Sequence, residues 1–461
     1  MRATLTMTAD QHEALRRHLF PGDGFEAVAV ALCGRREGAD VHRLLVHEVH
    51  PVPYALCERK EDRVTWRTTQ LRPLLEKAMR RGFALLKIHS HPGGFPQFSS
   101  VDDAADAILF ASVHGWIDGD APHTSAIMLP TGRVFGRVHH SDGATEDLAA
   151  VTVIGDDITM WRPSDADEEP APEFAMRHIQ AFGDGTFRTL RNLTIAVVGC
   201  SGTGSVIIDM LARLGVGKLI LVDPERVESK NLNRILNAYE RHLGWLKVDV
   251  MKEFIAAVGT GTEVETFDCD LLDPRVVKAV ASADIVMSCM DSVDGRHILN
   301  RIATFYLQPY IDVGVRLIAD GKGGIDQIAG GVHYVQPSKS SLLTRRLYTM
   351  EQVRAEALRR ADPETYAELR RQKYIRGVRV DRPAVNAVNM LFAGKAGIEL
   401  LMRIHSCRID GNAPYASHSV SLTGGFWVQF PEGPVDESLA RHVGRGDMTP
   451  LLDYPALGRT D

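Results

Sequence analysis

Thr194-Ile195-Ala196-Val197-Val198 runs straight into Gly199-Cys200-Ser201-Gly202-Thr203-Gly204, and this stretch decides the fold. A β-branched and apolar run of that length predicts a buried strand, the glycines predict a tight turn, and a helix is expected from about Ser205 to Leu214. Bare backbone N–H groups and a helix N-terminus then meet at one point, where a polyphosphate can sit. A second strand, Lys218 to Val222, ends in Asp223 about one βα unit later. That places a carboxylate where a ribose hydroxyl pair would be held. To this point a dinucleotide-dependent oxidoreductase fits the pattern as well.

The residues that follow separate the readings. Asp223-Pro224-Glu225 leads into Asn231-Leu232-Asn233-Arg234, then Lys247, and later Ser288-Cys289-Met290-Asp291 closes another strand. Hydride transfer has no use for an Arg and a Lys converging on a phosphate chain, whereas attack of a carboxylate on an α-phosphorus does, because charge moves onto the departing pyrophosphate. The set resembles the ATP site of the ubiquitin-activating-enzyme superfamily, the ThiF/MoeB-like adenylyltransferases. The resemblance implies a Rossmann-like, doubly wound ATP-binding domain. In it Gly199, Ser201, Gly202 and Gly204 would cradle the nucleotide, Asp223 hold the ribose, and Arg234 and Lys247, with Asn231, hold the phosphates. Asp291 would carry Mg²⁺ or orient the attacking carboxylate.

Length, composition and charge narrow the class. A chain of 461 residues predicts two or three domains. A net charge of −6 argues against a nucleic-acid partner. No apolar run approaches a membrane span and no secretory signal is read after Met1-Arg2-Ala3-Thr4, so a cytoplasmic location without membrane attachment is expected. Cys33, Cys57, Cys200, Cys269, Cys289 and Cys407 form no CxxC pair and are expected to be reduced, mostly buried thiols.

The first 150 residues carry a second chemistry. After a helix expected over residues 5–20, strands are predicted at Phe25–Cys33 and Leu44–Val52, and a helix from about Thr69 to Arg81. A strand from Phe83 to Ile88 then delivers His89-Ser90-His91, with Ser99 eight residues after His91 and Asp102 three further on, where another helix begins. Alternate residues at a strand end point the same way, so two imidazoles and a capping carboxylate can meet. Two His and one Asp make a three-ligand Zn²⁺ site with a fourth position open, the pattern of a catalytic zinc. The string resembles the JAMM (MPN/JAB) metalloprotease motif. That family also carries a Glu near the start of its first core strand, the place of Glu26. The resemblance implies an α/β domain that cleaves peptide or isopeptide bonds after the C-terminal tail of a ubiquitin-like protein. Glu26 would be general base toward a water acidified by the metal, and Ser99 would donate to the oxyanion.

Domains are therefore placed at 1–150 (JAMM/MPN), 151–173 (an acidic, Pro-rich linker) and 174–461 (ThiF-like). In ThiF/MoeB-like proteins an Arg at the position of Arg177 reaches a partner's ATP, which implies a homodimer; a plain surface Arg is the alternative. Many relatives hold a structural zinc with two CxxC pairs. Here Pro337–Thr344 and the region before Gly444 hold no cysteine, so both pairs are missing together. No cysteine lies between Cys289 and Cys407, leaving Cys407, or an oxyester on Ser341, as weak candidates for an acyl intermediate. Arg359, Arg360, Arg370 and Arg371 stand in a charged helical run, Met350 to Arg379, expected to be a solvated face or a docking surface for a carrier. Gly444-Arg445-Gly446-Asp447 resembles a tail element of ThiF-like proteins. The joint expectation is Zn²⁺, Mg²⁺ and ATP as cofactors and a bifunctional enzyme: peptidase and adenylyltransferase for one ubiquitin-like protein ending in Gly, with a conjugating enzyme as acyl acceptor. Sulfur-carrier activation remains open, as does a JAMM peptidase beside a non-catalytic ThiF-like module.

Overall fold

Apolar residues fill both registers of the stretch Val28–Cys33, and the computed structural model, which describes residues 2–38, 41–117, 119–163, 170–372 and 383–458, shows why. Ala29, Ala31 and Cys33 face one core with Leu15 and Leu19. Val28, Val30 and Leu32 face another with Leu75, Phe110 and Val113. A strand covered on both faces has no polar side to show.

The chain divides into two compact units, the first comprising residues 1–168, 305–307 and 442–449. Its elements are β1 (Arg2–Thr8), α1 (Ala9–Leu19), β2 (Val28–Glu37), β3 (Val41–Pro51), β4 (Cys57–Arg59), β5 (Val64–Trp66), α2 (Arg72–Arg81), β6 (Ala84–Ser90), α3 (Ser100–Trp116), β7 (His123–Met128), β8 (Val134–His139), β9 (Thr145–Asp147), β10 (Ala150–Ile154) and β11 (Ile158–Trp161). Nine of the strands form one sheet in the order β11-β10-β1-β3-β2-β6-β7-β8-β9.

Two expectations change here. Residues 2–8 are a strand and not the start of a helix, because Thr4-Leu5-Thr6-Met7-Thr8 alternates at the strand period and pairs in parallel with β3 and β10. The helix starts only at the capping box formed by Thr8 and Gln11. Residues 151–154 and 158–161, placed above in the linker, are sheet: Ala150–Ile154 is buried throughout and β11 pairs with it. Residues 164–169 of the acidic segment lie outside the described residues.

The Gly444–Asp447 tail element belongs to this first unit. Asp447 N donates to Arg35 O at 2.7 Å, and Tyr306 Oη donates to the Asp447 carboxylate at 2.7 Å. Gly446 sits at φ +68°, where a Cβ would stand 2.4 Å from Arg35 O. Only glycine fits that approach to β2.

The second unit holds α4 (Met176–Phe182), α5 (Asp184–Arg191), β12 (Thr194–Val198), α6 (Gly202–Arg213), β13 (Lys218–Val222), α7 (Lys247–Val258), β14 (Glu263–Phe267), α8 (Pro274–Ser282), β15 (Ile285–Ser288), α9 (Val293–Phe305), β16 (Tyr310–Ala319), β17 (Ile325–Val335), α10 (Met350–Ala361), α11 (Pro363–Arg371), α12 (Asn386–Ile404), β18 (Ser417–Ser421) and β19 (Phe426–Phe430). The sheet order is β14-β13-β12-β15-β16-β17-β18-β19, parallel from β14 to β16 and antiparallel beyond. Strand order reverses between β12 and β15, so the crevice at their carboxyl ends is the ligand site of such a sheet. The Arg-rich run is helical as α10 and α11, and its end at Arg379 lies outside the described residues. Among the described residues no helix is long and apolar enough to cross a membrane.

The stretch 337–344 and the one before Gly444 are tied together by side-chain contacts. Ser341 Oγ donates to Asp436 at 2.5 Å, Arg345 pairs with Glu432 at 3.0 Å, and Ser340 bonds the same Glu432 carboxylate. Ser341 is therefore a buried structural hydroxyl and not an exposed loop nucleophile.

Candidate functional site

In the first unit β6 keeps its extended course through His91, whose N–H donates to Met128 O at 3.1 Å. His89 and His91 thus fall on one side, with their Nε2 atoms 3.2 Å apart. Asp102 comes from the first turn of α3. Ser99 is the N-cap of that helix, accepting from Asp102 N at 3.2 Å and donating its hydroxyl to Asp102 Oδ2 at 2.7 Å. This capping box aims the carboxylate at the imidazoles, 2.9 Å from His89 and 3.5 Å from His91. In the structure the Ser99 hydroxyl is thus spent on Asp102, and the oxyanion contact expected of it would need that bond released.

Glu26 precedes β2, its backbone held by Lys60 O and the Arg59 guanidinium of the β4–β5 hairpin. Its carboxylate lies 3.8 Å from His91 Nε2. Burial, the largest influence, pushes it up to about 7. Burial would push Asp102 the same way, but hydrogen bonds from His89 and His91 outweigh it and hold the carboxyl well below the usual range. Burial lowers His89 to about 4; in His91 burial is outweighed by the Asp102 and Phe95 hydrogen bonds, so it is raised.

His91 Nδ1 faces the carbonyl of Phe95 at 2.9 Å, so in the neutral ring Nδ1 keeps the proton and Nε2, released from its bond to Asp102, would turn a lone pair to the centre. Two imidazole nitrogens 3.2 Å apart beside a carboxylate call for a proton or a cation between them. Ligand atoms around a tetrahedral Zn²⁺ stand roughly 3.3 Å apart, close to the 3.2 Å between the two imidazole nitrogens, while Asp102 offers Oδ1 to His89 and Oδ2 to His91. Glu26 falls within 4.8 Å of both imidazole ligand atoms, so two carboxylates are available for one ligand place. Asp102 is nearer to both rings, which leaves Glu26 beside the metal position. The donor set fits a three-ligand zinc.

In the second unit a cavity of about 1260 Å³ opens at the β12/β15 crevice, lined by Gly199, Ser201, Gly202, Asp223, Asn231, Arg234, Lys247 and Asp291 together. The Gly-rich turn is sterically determined: a Cβ on Gly204 would lie 1.8 Å from Gly199 O. Asp223 accepts from Cys200 N at 2.8 Å and Glu225 N at 2.9 Å, which ties the end of β13 to that turn. Burial raises its carboxyl, opposed first by Lys247. Lys247 opens α7, its ammonium almost wholly buried and paired with Glu225. A cation at a helix N-terminus opposes the macrodipole, so folding alone gives no reason for it. Asn231 caps its own turn by accepting from Glu228 N at 3.0 Å. Arg234 donates to Lys230 O at 2.6 Å and has a surface beside the cavity. Asp291 is exposed there.

Arg177 is not among the cavity's lining residues; on α4 it donates to Gln180 at 3.0 Å. The sequence reading also missed residues that line the cavity. Asn389 of α12 reaches over the turn so closely that a Cβ on Gly202 would stand 2.3 Å from its amide. Arg296 in α9 pairs with buried Asp312 at 3.0 Å, and Arg359 and Arg360 of α10 stand on an exposed helical face that also borders the cavity. No local signal marks Asn389. Arg296 and Asp312 were visible only as an Arg after Asp291 and an Asp in an apolar strand. Cys269 and Cys289 also line the cavity, but burial, foremost, raises both thiols, Cys289 strongly. Cys407 is exposed and lies outside it.

The ThiF family model matches residues 175–418, and the model of prokaryotic homologues of the JAB domain matches residues 8–130. Ubiquitin-like modifier-activating enzyme 5 of Caenorhabditis elegans is 30% identical over 167 residues, 34% of this chain and 38% of that protein. The enzyme of the same name from Oryza sativa subsp. japonica is 25% identical over 168 residues, again 34% of this chain and 38% of its own length. The chain thus spans well under half the length of these relatives. A crystal structure of E. coli MccB with ATP superposes with a TM-score of 0.44 at 18% identity, over 58% of this chain and 74% of that one.

Proposed function

The chain belongs to the ThiF family and joins that domain to a JAB-homologue domain, and on that premise we propose that it processes and activates one small protein: a zinc-dependent peptidase or isopeptidase cleaves after the C-terminal Gly of a ubiquitin-like protein, and the ThiF domain adenylates that terminus with MgATP. What carries the second half is the single cavity in which the Gly-rich turn, Asp223, Arg234, Lys247 and Asp291 meet. The terminal carboxylate attacks the α-phosphorus, the α–β bond breaks and pyrophosphate leaves. Lys247 and Arg234 neutralise the departing charge, and Asp291 would hold Mg²⁺, which would add positive charge on the phosphates, or orient the attacking carboxylate. Arg177, which does not line this chain's own cavity, suits a reach across a homodimer.

In the first unit a zinc ion held by His89, His91 and Asp102 supplies Lewis acidity when bound. Glu26 takes and returns a proton at its carboxylate beside that position, His91 is oriented by Phe95 O, and Ser99 holds Asp102 in place. With Ser341 buried and Cys407 outside the cavity, the activated acyl group passes directly to a separate acceptor, either a conjugating enzyme or a sulfur donor. Tethering the two activities raises the effective concentration of a released tail at the second site. The test is carrier-dependent ATP–pyrophosphate exchange with wild type and Asp291→Ala. Exchange that requires a free C-terminal Gly and is lost in the variant supports the reading. No exchange with intact peptidase activity would make the ThiF domain a binding module.

A further inference from the structure

Below the metal ligands lies a second cross-link between the same two elements. Lys87 stands two residues before His89 on β6, and Asp106 stands four after Asp102 on α3, so each shares its neighbour's face. Lys87 Nζ meets Asp106 Oδ1 at 2.7 Å, and His89 Nε2 meets Asp102 Oδ1 at 2.9 Å. Two residues of strand advance about 6.6 Å and four of helix about 6 Å. The contacts therefore form two rungs of a ladder in which α3 runs opposite to β6. The lower rung is closed off from water, with Asp106 0% and Lys87 6% exposed. Arg137 of β8 closes it from the far side, 2.9 Å from Asp106 Oδ2 and 2.5 Å from Asp103.

We propose that the Lys87–Asp106 pair is a positioning pair for the zinc ligands, setting the register of α3 on β6 so that Asp102 arrives at His89 and His91. The inference rests on the zinc reading of the site. Stability alone does not call for it: a buried ion pair loses much of its Coulomb gain to desolvation, and a well-packed apolar pair of like volume is often as stable or more so. What an apolar pair lacks is direction. Leucine and methionine pack equally well with the helix slid or rotated by a fraction of a turn, whereas a 2.7 Å charged hydrogen bond fixes the offset. One rung away, that offset decides whether the Asp102 carboxylate reaches both imidazoles.

The experiment uses the full chain with Zn²⁺, competed against a chromophoric chelator, and Co²⁺ as a spectroscopic probe. The variants are the double substitution Lys87→Met with Asp106→Leu, the single Lys87→Met, which leaves Asp106 paired with Arg137, and the conservative Lys87→Arg. The expected result is a fold and melting temperature at least as good as wild type in the double variant, with Zn²⁺ affinity about 10–100-fold weaker and an altered Co²⁺ visible spectrum. Lys87→Arg should recover part of the affinity. Affinity within about twofold of wild type and an unchanged Co²⁺ spectrum in folded Lys87→Met and double variants would overturn the inference while leaving the zinc reading intact. A wild-type chain that binds no stoichiometric zinc would overturn both, and that outcome is read from the wild type alone.

Discussion

The two candidate sites are built over different lengths of chain. The metal cluster takes three of its four groups from residues 89–102, one strand end and one helix cap, and they already stand within 2.9–3.5 Å of one another. The nucleotide cavity draws on segments from Gly199 to Asn389. Its charged groups are occupied with one another or with backbone: Lys247 with Glu225, Asp223 with two N–H groups, Arg234 with a carbonyl. A short-range site is finished by local geometry. A long-range one is finished by docking of whole elements, and its cations are parked on protein partners that a polyphosphate would replace.

The sharpest test of the finished site is Glu26→Gln. Hydrolysis should fall by about 10²–10⁴ with zinc retained, measured as cleavage of a tail-extended carrier beside metal content; loss of zinc as well would make Glu26 a ligand. Next, Lys247→Ala should lower ATP–pyrophosphate exchange by about 10²–10³ and leave the peptidase unchanged. Equal loss of both activities would break the separation drawn here.

Acid should loosen the element that the cavity depends on and the metal cluster does not. Glu399 of α12 is fully buried against Arg403, Arg408 and His418. Burial would raise it, yet the His418 and Arg408 hydrogen bonds and the Arg403 charge prevail, and it is lowered to about 2 from 4.5. A carboxyl depressed in the folded state contributes stability that is complete above its unfolded value and is lost as pH falls. About 3 kcal/mol should therefore disappear between roughly pH 4.5 and pH 2. Urea unfolding of wild type and Glu399→Gln across that window checks it, since the variant should lack that pH-dependent component.

Smaller effects probe the remaining long-range contacts. Gly446→Ala should cost about 2 kcal/mol in a melt of the first unit and leave zinc affinity unchanged if the cluster is as local as its geometry indicates. Asn389→Ala should weaken ATP binding by about tenfold, read by calorimetry, with no effect on zinc.

Much of both sites was legible because it lies in short patterns. The strand, turn and helix at 194–213, the carboxylate ending β13, and His89, His91, Ser99 and Asp102 are set by spacings of two to eleven residues, and local periodicity fixes where such side chains point. The strand at residues 2–8 is misread as the start of a helix, although its strand-period alternation outweighs the helical pattern and the capping box at Thr8 and Gln11 marks where the helix begins. Ser99 shows the limit: the spacing placed it beside the metal ligands, but only the cap geometry sends its hydroxyl to Asp102.

By itself, then, the sequence determined the fold class, the two families joined in the chain and a set of candidate site residues in each, since each motif is a local constraint on backbone and side-chain direction. Tertiary structure alone decided which distant residues complete them. It placed Asn389 over Gly202, set the exposed Arg359 and Arg360 at the border of the cavity, buried Ser341 against Asp436, and gave Gly446 its contact with β2. Those outcomes depend on which faces pack and in what register. No local period records that, because burial is a property of the folded chain and not of any window along it.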